Sequence, residues 1–387
     1  MSQPVAIVPC SNYEQERVAE SVGRAIEMLG GMARFVQPGQ RVLLKANLLS
    51  ASPPEKAITT HPAVVETVVR AIQSAGGAVT IGDSPGSSVR FNEKSLRALY
   101  AVTGMSDVAE RTGAELLLDT RSTEISFPAG KLLKRIDVIQ AAVDADAIVS
   151  LPKFKNHILT TFTGATKNMF GVVPGTKKAL LHATPRTLAN FVDALLDILQ
   201  WSAPVLTIMD GIVGMEGNGP SGGQPRQVGV VLASRDGVAL DAIAAEIAGI
   251  PPEHILLLRQ AAARGWWSGR IEDVPVLGAA LETVRVPDFV PARANHHPES
   301  GTGIPIIDRY IVPRLVNRLA VRPTPQRGRC TACRTCLRAC PREAIEIRDG
   351  LAHVDYGRCI RCYCCHEMCP ENAIDLEQPV LSRLLRL

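Results

Sequence analysis

No stretch of the 387 residues approaches the 18 or more consecutive apolar residues that a membrane span needs, so none is expected. The opening "MSQPVAIVPC" lacks a basic segment followed by an apolar one, and "VAIV" reads as a first β-strand, so a cytoplasmic chain is expected. With no secretion signal, the ten cysteines are not expected to form disulfides. A P-loop is missing, because "GVVPGTKK" has the wrong glycine spacing, and so is a nucleophile elbow. Gly217, Gly219 and Gly222 spell G-x-G-x-x-G, yet Pro220, Pro225 and the strand-like "QVGVVLA" stand where a dinucleotide-binding helix must begin. Carboxylates are absent altogether between Asp146 and Asp193.

What is present suits a globular chain of one large and one small domain, with 46% hydrophobic and 21% charged residues. Up to about residue 290 short β-rich runs ("VAIV", "RVLLK", "GAVTIGD", "DAIVSLPK", "VLTIMDG", "QVGVVLAS") alternate with amphipathic helices. One helix begins after Thr184 and puts Leu188, Phe191, Val192, Leu195, Leu196 and Leu199 on one face; others start near Pro62 and after Asp236. The expected fold is α/β, a mostly parallel sheet with helices on both faces over 1–290. Residues 291–327, rich in Pro, Gly and polar groups, read as linker, with an amphipathic segment at 306–320. A small α+β module is expected over 328–376, and 377–387 form a tail.

The acid-free window holds Lys153, Lys155, Lys167, Lys177, Lys178 and Arg186, with His157 and His182. Such a cluster raises the electrostatic energy of the fold unless negative charge sits against it. An anionic ligand, the carboxylates Asp83, Asp210 and Glu216, or the cysteine-rich module could supply that charge. Lys45 and Asn47, Asp83 and Ser84, Lys153 to His157, Asp210 and Glu216, and Asp236 and Asp241 all follow expected strands. In a parallel sheet those carboxyl ends share one edge, where ligands bind.

The densest signal is C-x2-C-x2-C-x3-C-P, written first at Cys330, Cys333, Cys336 and Cys340 and again 29 residues later at Cys359, Cys362, Cys365 and Cys369. Three cysteines in series wrap three corners of a cubane, and the fourth reaches across to the other one. Cys330, Cys333, Cys336 and Cys369 are therefore assigned to one 4Fe–4S cluster, and Cys359, Cys362, Cys365 and Cys340 to a second. Cys10 and Cys364 fall outside the pattern and read as idle thiols. Two oxidised cubanes with eight thiolates bring the formal +4 of the chain to about neutral. The arginines after residue 300 are offset by carboxylates and clusters, and nucleic acid is not expected as a partner. The module resembles the bacterial two-cluster ferredoxins.

The blocks "RVLLKANLL", "ITTHPAVVE", "IGDSPG", "LPKFKNHILTTFTGATKNMFGVVPG", "DGIVGMEGNGP" and "SRDGVALDAIAAEIAG" resemble the Domain of Unknown Function 362 family, members of which frequently carry a C-terminal two-cluster ferredoxin. That resemblance implies the architecture and a redox role without fixing a reaction. The expected function is a reductase that takes electrons from an external carrier and passes them through two clusters to a small anionic substrate. Lys45, Lys153 and Lys167 would grip the substrate, with Asn47, Thr163 and Asn168 as hydrogen-bond partners, and His157 or Lys155 would supply protons. A flavin or another group between cluster and substrate stays open. The alternatives are an electron-transfer or assembly adaptor, in which Asp83, Asp210, Glu216 and His157 could hold a metal, and a redox-regulated isomerase.

Overall fold

Aliphatic and β-branched runs bounded by Gly, Pro and Asp make the strands, and the amphipathic stretches between them cover both sheet faces. The computed structural model describes residues 2–86, 89–175, 177–178, 181, 187–292 and 321–378; the segment at 306–320 and the end of the tail from 379 lie outside the described residues. Twelve strands belong to the large domain: β1 Val5–Pro9, β2 Arg41–Ala46, β3 Ala78–Gly82, β4 Glu115–Leu116, β5 Ser122–Ser126, β6 Arg135–Ile139, β7 Ala147–Leu151, β8 Lys153–His157, β9 Thr161–Thr163, β10 Leu206–Glu216, β11 Gln224–Ser234 and β12 Val276–Gly278. The main sheet runs β12-β1-β11-β10-β7-β2-β3-β4. All neighbours are parallel except where β11 meets β1 and β10, so β11 alone runs backwards on this path. This is the expected mostly parallel α/β sheet. The reversal of β11 corrects one detail: its carboxyl end, with Asp236, lies at the opposite edge from those of β2, β3 and β7, and Asp241 stands inside the helix that follows.

Alternate side chains of each strand enter two different cores, as the two-residue period of a strand requires. Val42 and Leu44 of β2 face one side with Val149 of β7, while Leu43 and Ile148 face the other. The helices Gln15–Met28 and Pro62–Ser74 cover the first side through Val18, Val22, Val65 and Val69. The helix Leu188–Ser202 covers the second through the expected Phe191, Val192, Leu195, Leu196 and Leu199. Its first turn is capped by Thr187, whose hydroxyl accepts from the Asn190 N–H at 3.1 Å. Asp236 caps the helix Gly237–Ile247, accepting from Val238 and Ala239 at 3.0 Å.

Pro152 ends β7 and redirects the chain into β8, which leaves the main sheet to pair with the outer half of β10 and with β9. The lysine-rich stretch expected to follow a strand thus forms a strand of its own. In the small domain, β13 Arg322–Pro325 pairs with β16 Ile374–Glu377, and β14 Ile345–Arg348 with β15 Leu351–Val354. Residues 322–325, expected as linker, therefore belong to the small domain. Two short helices, Thr335–Ala339 and Cys364–Glu367, pack against each other and against β14 and β16.

Candidate functional site at the junction of the two domains

In β8, Lys153, Lys155 and His157 stand at i, i+2 and i+4 and so share one face, spaced about 7 Å apart along the strand. All three side chains are buried, and each finds different company. Lys153 Nζ donates to Asp210 Oδ2 at 2.7 Å and to Tyr13 Oη at 2.8 Å. Tyr13 donates to Asp210 Oδ1 at 2.8 Å and stacks on His61 at 3.6 Å. Lys155 Nζ donates to Asn47 Oδ1 at 2.8 Å and to the Ile58 carbonyl at 2.7 Å. Burial, reinforced by Lys167 and Lys153, brings the Lys155 ammonium down to about 7. His157 Nδ1 accepts from the backbone N–H groups of Leu159 and Thr160, which places its ring proton on Nε2. That nitrogen lies 3.4 Å from Glu367 Oε1.

Glu367 belongs to the small domain, within the second cysteine repeat between Cys365 and Cys369. Its carboxyl is buried, and desolvation raises it to about 7 against the pull of Lys167 and Lys155. The small domain is fastened here by further contacts. The Ser221 hydroxyl donates to the Glu367 carbonyl at 2.5 Å, and Gly222 packs so close to His366 that a Cβ would stand 2.9 Å from its Nε2. Met368 reaches Gly86 in the loop after β3.

A cavity of about 70 Å³ lies at this junction, lined by Lys155, His157, Thr163, Lys167, Ser84 and Glu367, with Cys364 and Met368 closing it from the small domain. Lys45 forms its floor with Asp83 at 2.9 Å, both buried. Asn168 Oδ1 accepts from Lys45 Nζ at 3.2 Å and from Asn47 Nδ2 at 3.3 Å. Gly171 is obligatory beside this pair, since a Cβ there would collide with Asp83 Oδ1 and Lys45. Lys178 donates to the Ser84 and Pro85 carbonyls, and burial lowers its ammonium to about 7. Burial likewise lowers Lys45 and Lys167 from their usual value. The buried hydroxyls of Ser84 and Thr163 have no hydrogen-bond partner among the described residues.

Of the residues singled out from sequence, the fold brings Lys45, Asn47, Asp83, Lys155, His157, Thr163, Lys167 and Asn168 to this cavity or its floor. It does not bring Lys153, Asp210 or Glu216. Lys153 and Asp210 neutralise each other with Tyr13 inside the protein, because Asp210 lies within the long β10 rather than after it. Glu216 sits at the outer end of β10, where it accepts from the Val290 N–H at 3.0 Å and faces Arg226 at 4.0 Å. Asp83, Asp210, Glu216 and His157 therefore make no shared metal site, and among the described residues no three such side chains converge on a single ion. Glu367, Cys364, Ser84, Lys178 and Met368 were not singled out as site residues. The overlooked signal was the repeat itself: Glu367 is the 29-residue equivalent of Arg338, an opposite charge in an otherwise matching frame.

Thiols from both repeats come together in the small domain. Cys330, Cys333, Cys336 and Cys369 line one cavity walled by Ile347, Ala352 and Ile374. Cys365 is pushed up by burial and then by the proximity of Cys362, Cys359, Cys336 and Cys340. Four thiols around a void suit a cubane, in which each iron takes one cysteine, better than a single ion. The backbone repeats as well: Ala332, Arg334 and Glu343 have positive φ, and so do Arg361, Tyr363 and Asn372, each 29 residues on. The Ala344 N–H donates to Cys340 Sγ and the Ala373 N–H to Cys369 Sγ, both at 3.2 Å. Such inward N–H groups favour an anionic cluster.

Family models match stretches of both the α/β body and the cysteine-rich module. The family described as "Domain of unknown function (DUF362)" matches residues 42–246, from β2 to the helix after β11. The chain belongs to that family. A 4Fe-4S binding domain matches residues 352–375, so the small domain of this DUF362 protein is an iron–sulfur module. The "Thylakoid-associated protein sll1697" of Synechocystis sp. is 38% identical over 263 residues, 66% of this chain and 77% of that one. Among solved structures, the lactate racemase apoprotein of Thermoanaerobacterium thermosaccharolyticum aligns with a TM-score of 0.40 and 13% identity, over 64% of this chain and 57% of that one. A Thermotoga maritima protein aligns with a TM-score of 0.36 and 15% identity, over 60% and 58%.

Proposed function

We propose that this DUF362 protein is a reductase that uses two 4Fe–4S clusters to act on a small anionic substrate held in the junction cavity. The observation that carries the reading is the 3.4 Å approach of Glu367, from a cluster-binding loop, to His157 beside Lys155 and Lys167. When bound, the clusters supply single electrons. The protein's own residues do the rest. Lys155 and Lys167 attract an anion, and the unpartnered hydroxyls of Ser84 and Thr163 offer it hydrogen bonds in a site that excludes bulk water. His157 Nε2–H and the Lys155 ammonium, poised near neutrality, present protons within the same cavity. The Lys45–Asp83 pair, Asn47 and Asn168 hold the floor rigid. The cavity is well below the roughly 300–1,000 Å³ of sites for drug-sized ligands, which favours a substrate of few heavy atoms.

The cytoplasmic location expected from sequence is part of this proposal; among the described residues no helix is long and apolar enough to cross a membrane. The test is anaerobic. Protein reduced with dithionite and freed of excess reductant is mixed with a panel of small carboxylate and carbonyl-bearing anions, and the cluster absorbance is followed. Recovery of the oxidised spectrum without any partner protein is expected for at least one of them, with loss of more than tenfold in rate for Lys155→Met at unchanged iron content. Recovery only on addition of a second redox protein would select the adaptor instead.

A further inference from the structure

The small domain is internally repeated, but its charge is not. Residues 321–342, which contain the first three-cysteine loop, hold six arginines and no carboxylate, whereas residues 343–378 hold three arginines and eight carboxylates. Both halves would surround a cluster of the same charge, so neutralising the clusters does not explain why the arginines collect on one of them.

The pseudo-symmetry shows what differs. In the second half, Tyr363, His366, Glu367 and Met368 are buried against the rest of the protein, part of that contact being the junction cavity. Their equivalents 29 residues earlier are Arg334, Leu337, Arg338 and Ala339. Arg334 and Arg338 are exposed, and Leu337 is an exposed large hydrophobic residue at 37%. Apart from the buried Ala339, the helix face that seats one half on the large domain is thus left exposed among the described residues of the other half, and it carries arginines around an apolar centre. Cys333 is exposed in this loop, while its counterpart Cys362 is partly covered. Arg338 is braced by donating to the Cys333 carbonyl at 3.4 Å and to Thr335 Oγ1 at 3.2 Å. Arg327, Arg334, Arg338 and Arg342 form no ion pair among the described residues; Arg329 alone is paired, with Asp375 at 2.5 Å.

We propose that this face is the docking site of a small acidic electron-carrier protein, which meets the chain at the first cysteine loop. Leu337 would supply the desolvated centre, and the arginines would steer a carboxylate-ringed partner onto it. Short-lived redox encounters use small interfaces of this kind. In each encounter one electron leaves the carrier and one enters the protein; no bond is made and no proton moves. The inference is independent of what occupies the junction cavity, so either reading can fail alone.

The test uses the iron-loaded full chain and flavodoxin, an acidic carrier whose flavin absorbance is separable from that of the clusters. Binding is measured by calorimetry at about 20 and about 200 mM NaCl. The expected result is a Kd at least tenfold weaker at the higher salt, and a further loss of at least tenfold for R334E/R338E with unchanged iron content. R348E, on the acidic half, should change the Kd less than twofold. Should the double variant lose iron, R334Q and R338Q carry the same comparison, at about threefold each. No measurable binding of the native chain, a Kd insensitive to salt and to the loop arginines, or an equal loss for R348E would overturn the proposal.

Discussion

Lys45 and Asp83 are both buried and 2.9 Å apart, so removing one partner strands the other's charge away from water. Asp83→Asn is expected to destabilise the protein by about 3–5 kcal/mol in thermal or chemical unfolding, and a paired apolar replacement by much less. Lys155 makes a pH prediction of definite sign. Its ordinary value is 10.5, and burial lowers it to about 7 in the folded chain. Between those values the unfolded chain keeps a proton that the folded chain has released, so stability rises with pH over this window. Below pH 7 the folded state bears the whole cost of the buried ammonium. Lys155→Met should flatten the rise in Tm from pH 7 to 9, with Lys178 and the other buried lysines, Lys45, Lys153 and Lys167, contributing what remains. Anion binding should run the other way, weakening above pH 7 as Lys155 and Lys178 lose charge. At this scale the sequence was legible for the cysteines and for most of the cavity lysines, because spacing and missing carboxylates are visible in one dimension. It misassigned Lys153 and Asp210, whose mutual neutralisation depends on β8 lying beside β10.

The short helix Ala165–Asn168 carries Lys167 and Asn168 into the cavity, and one carboxylate holds its start. Asp241, from the helix after β11, accepts from the Ala165 N–H at 2.5 Å and from the Thr166 N–H at 3.0 Å. Asp241→Ala is expected to cost about 1–2 kcal/mol and to slow substrate-dependent reoxidation while leaving iron content intact. The strand order explains why this support was hidden. A pattern of alternating strands and helices announces a parallel sheet, yet nothing local distinguishes the reversed strand β11, whose direction is set by its long hairpin with β10. Asp241 consequently acts from within a helix rather than from a strand end.

Over the whole molecule, function rests on how the iron–sulfur module sits on the α/β body. The seat is tight at Gly222, where any side chain meets His366. Gly222→Val should loosen the module, seen as faster bleaching of the cluster absorbance in air and as raised hydrogen exchange over 153–171. The repeat made the module readable from sequence, and its asymmetry, Arg338 against Glu367, held the key to which half faces inward. That meaning emerged only once the fold put Glu367 beside His157. The account's central claim is that buried cations of the large domain lie against one cluster and shape its electron affinity. Its most direct test is a spectroelectrochemical titration of Lys167→Met beside the native chain. Loss of a positive charge at the cavity should lower one midpoint potential by roughly some tens of millivolts and leave the other in place. Two unmoved potentials would contradict the account.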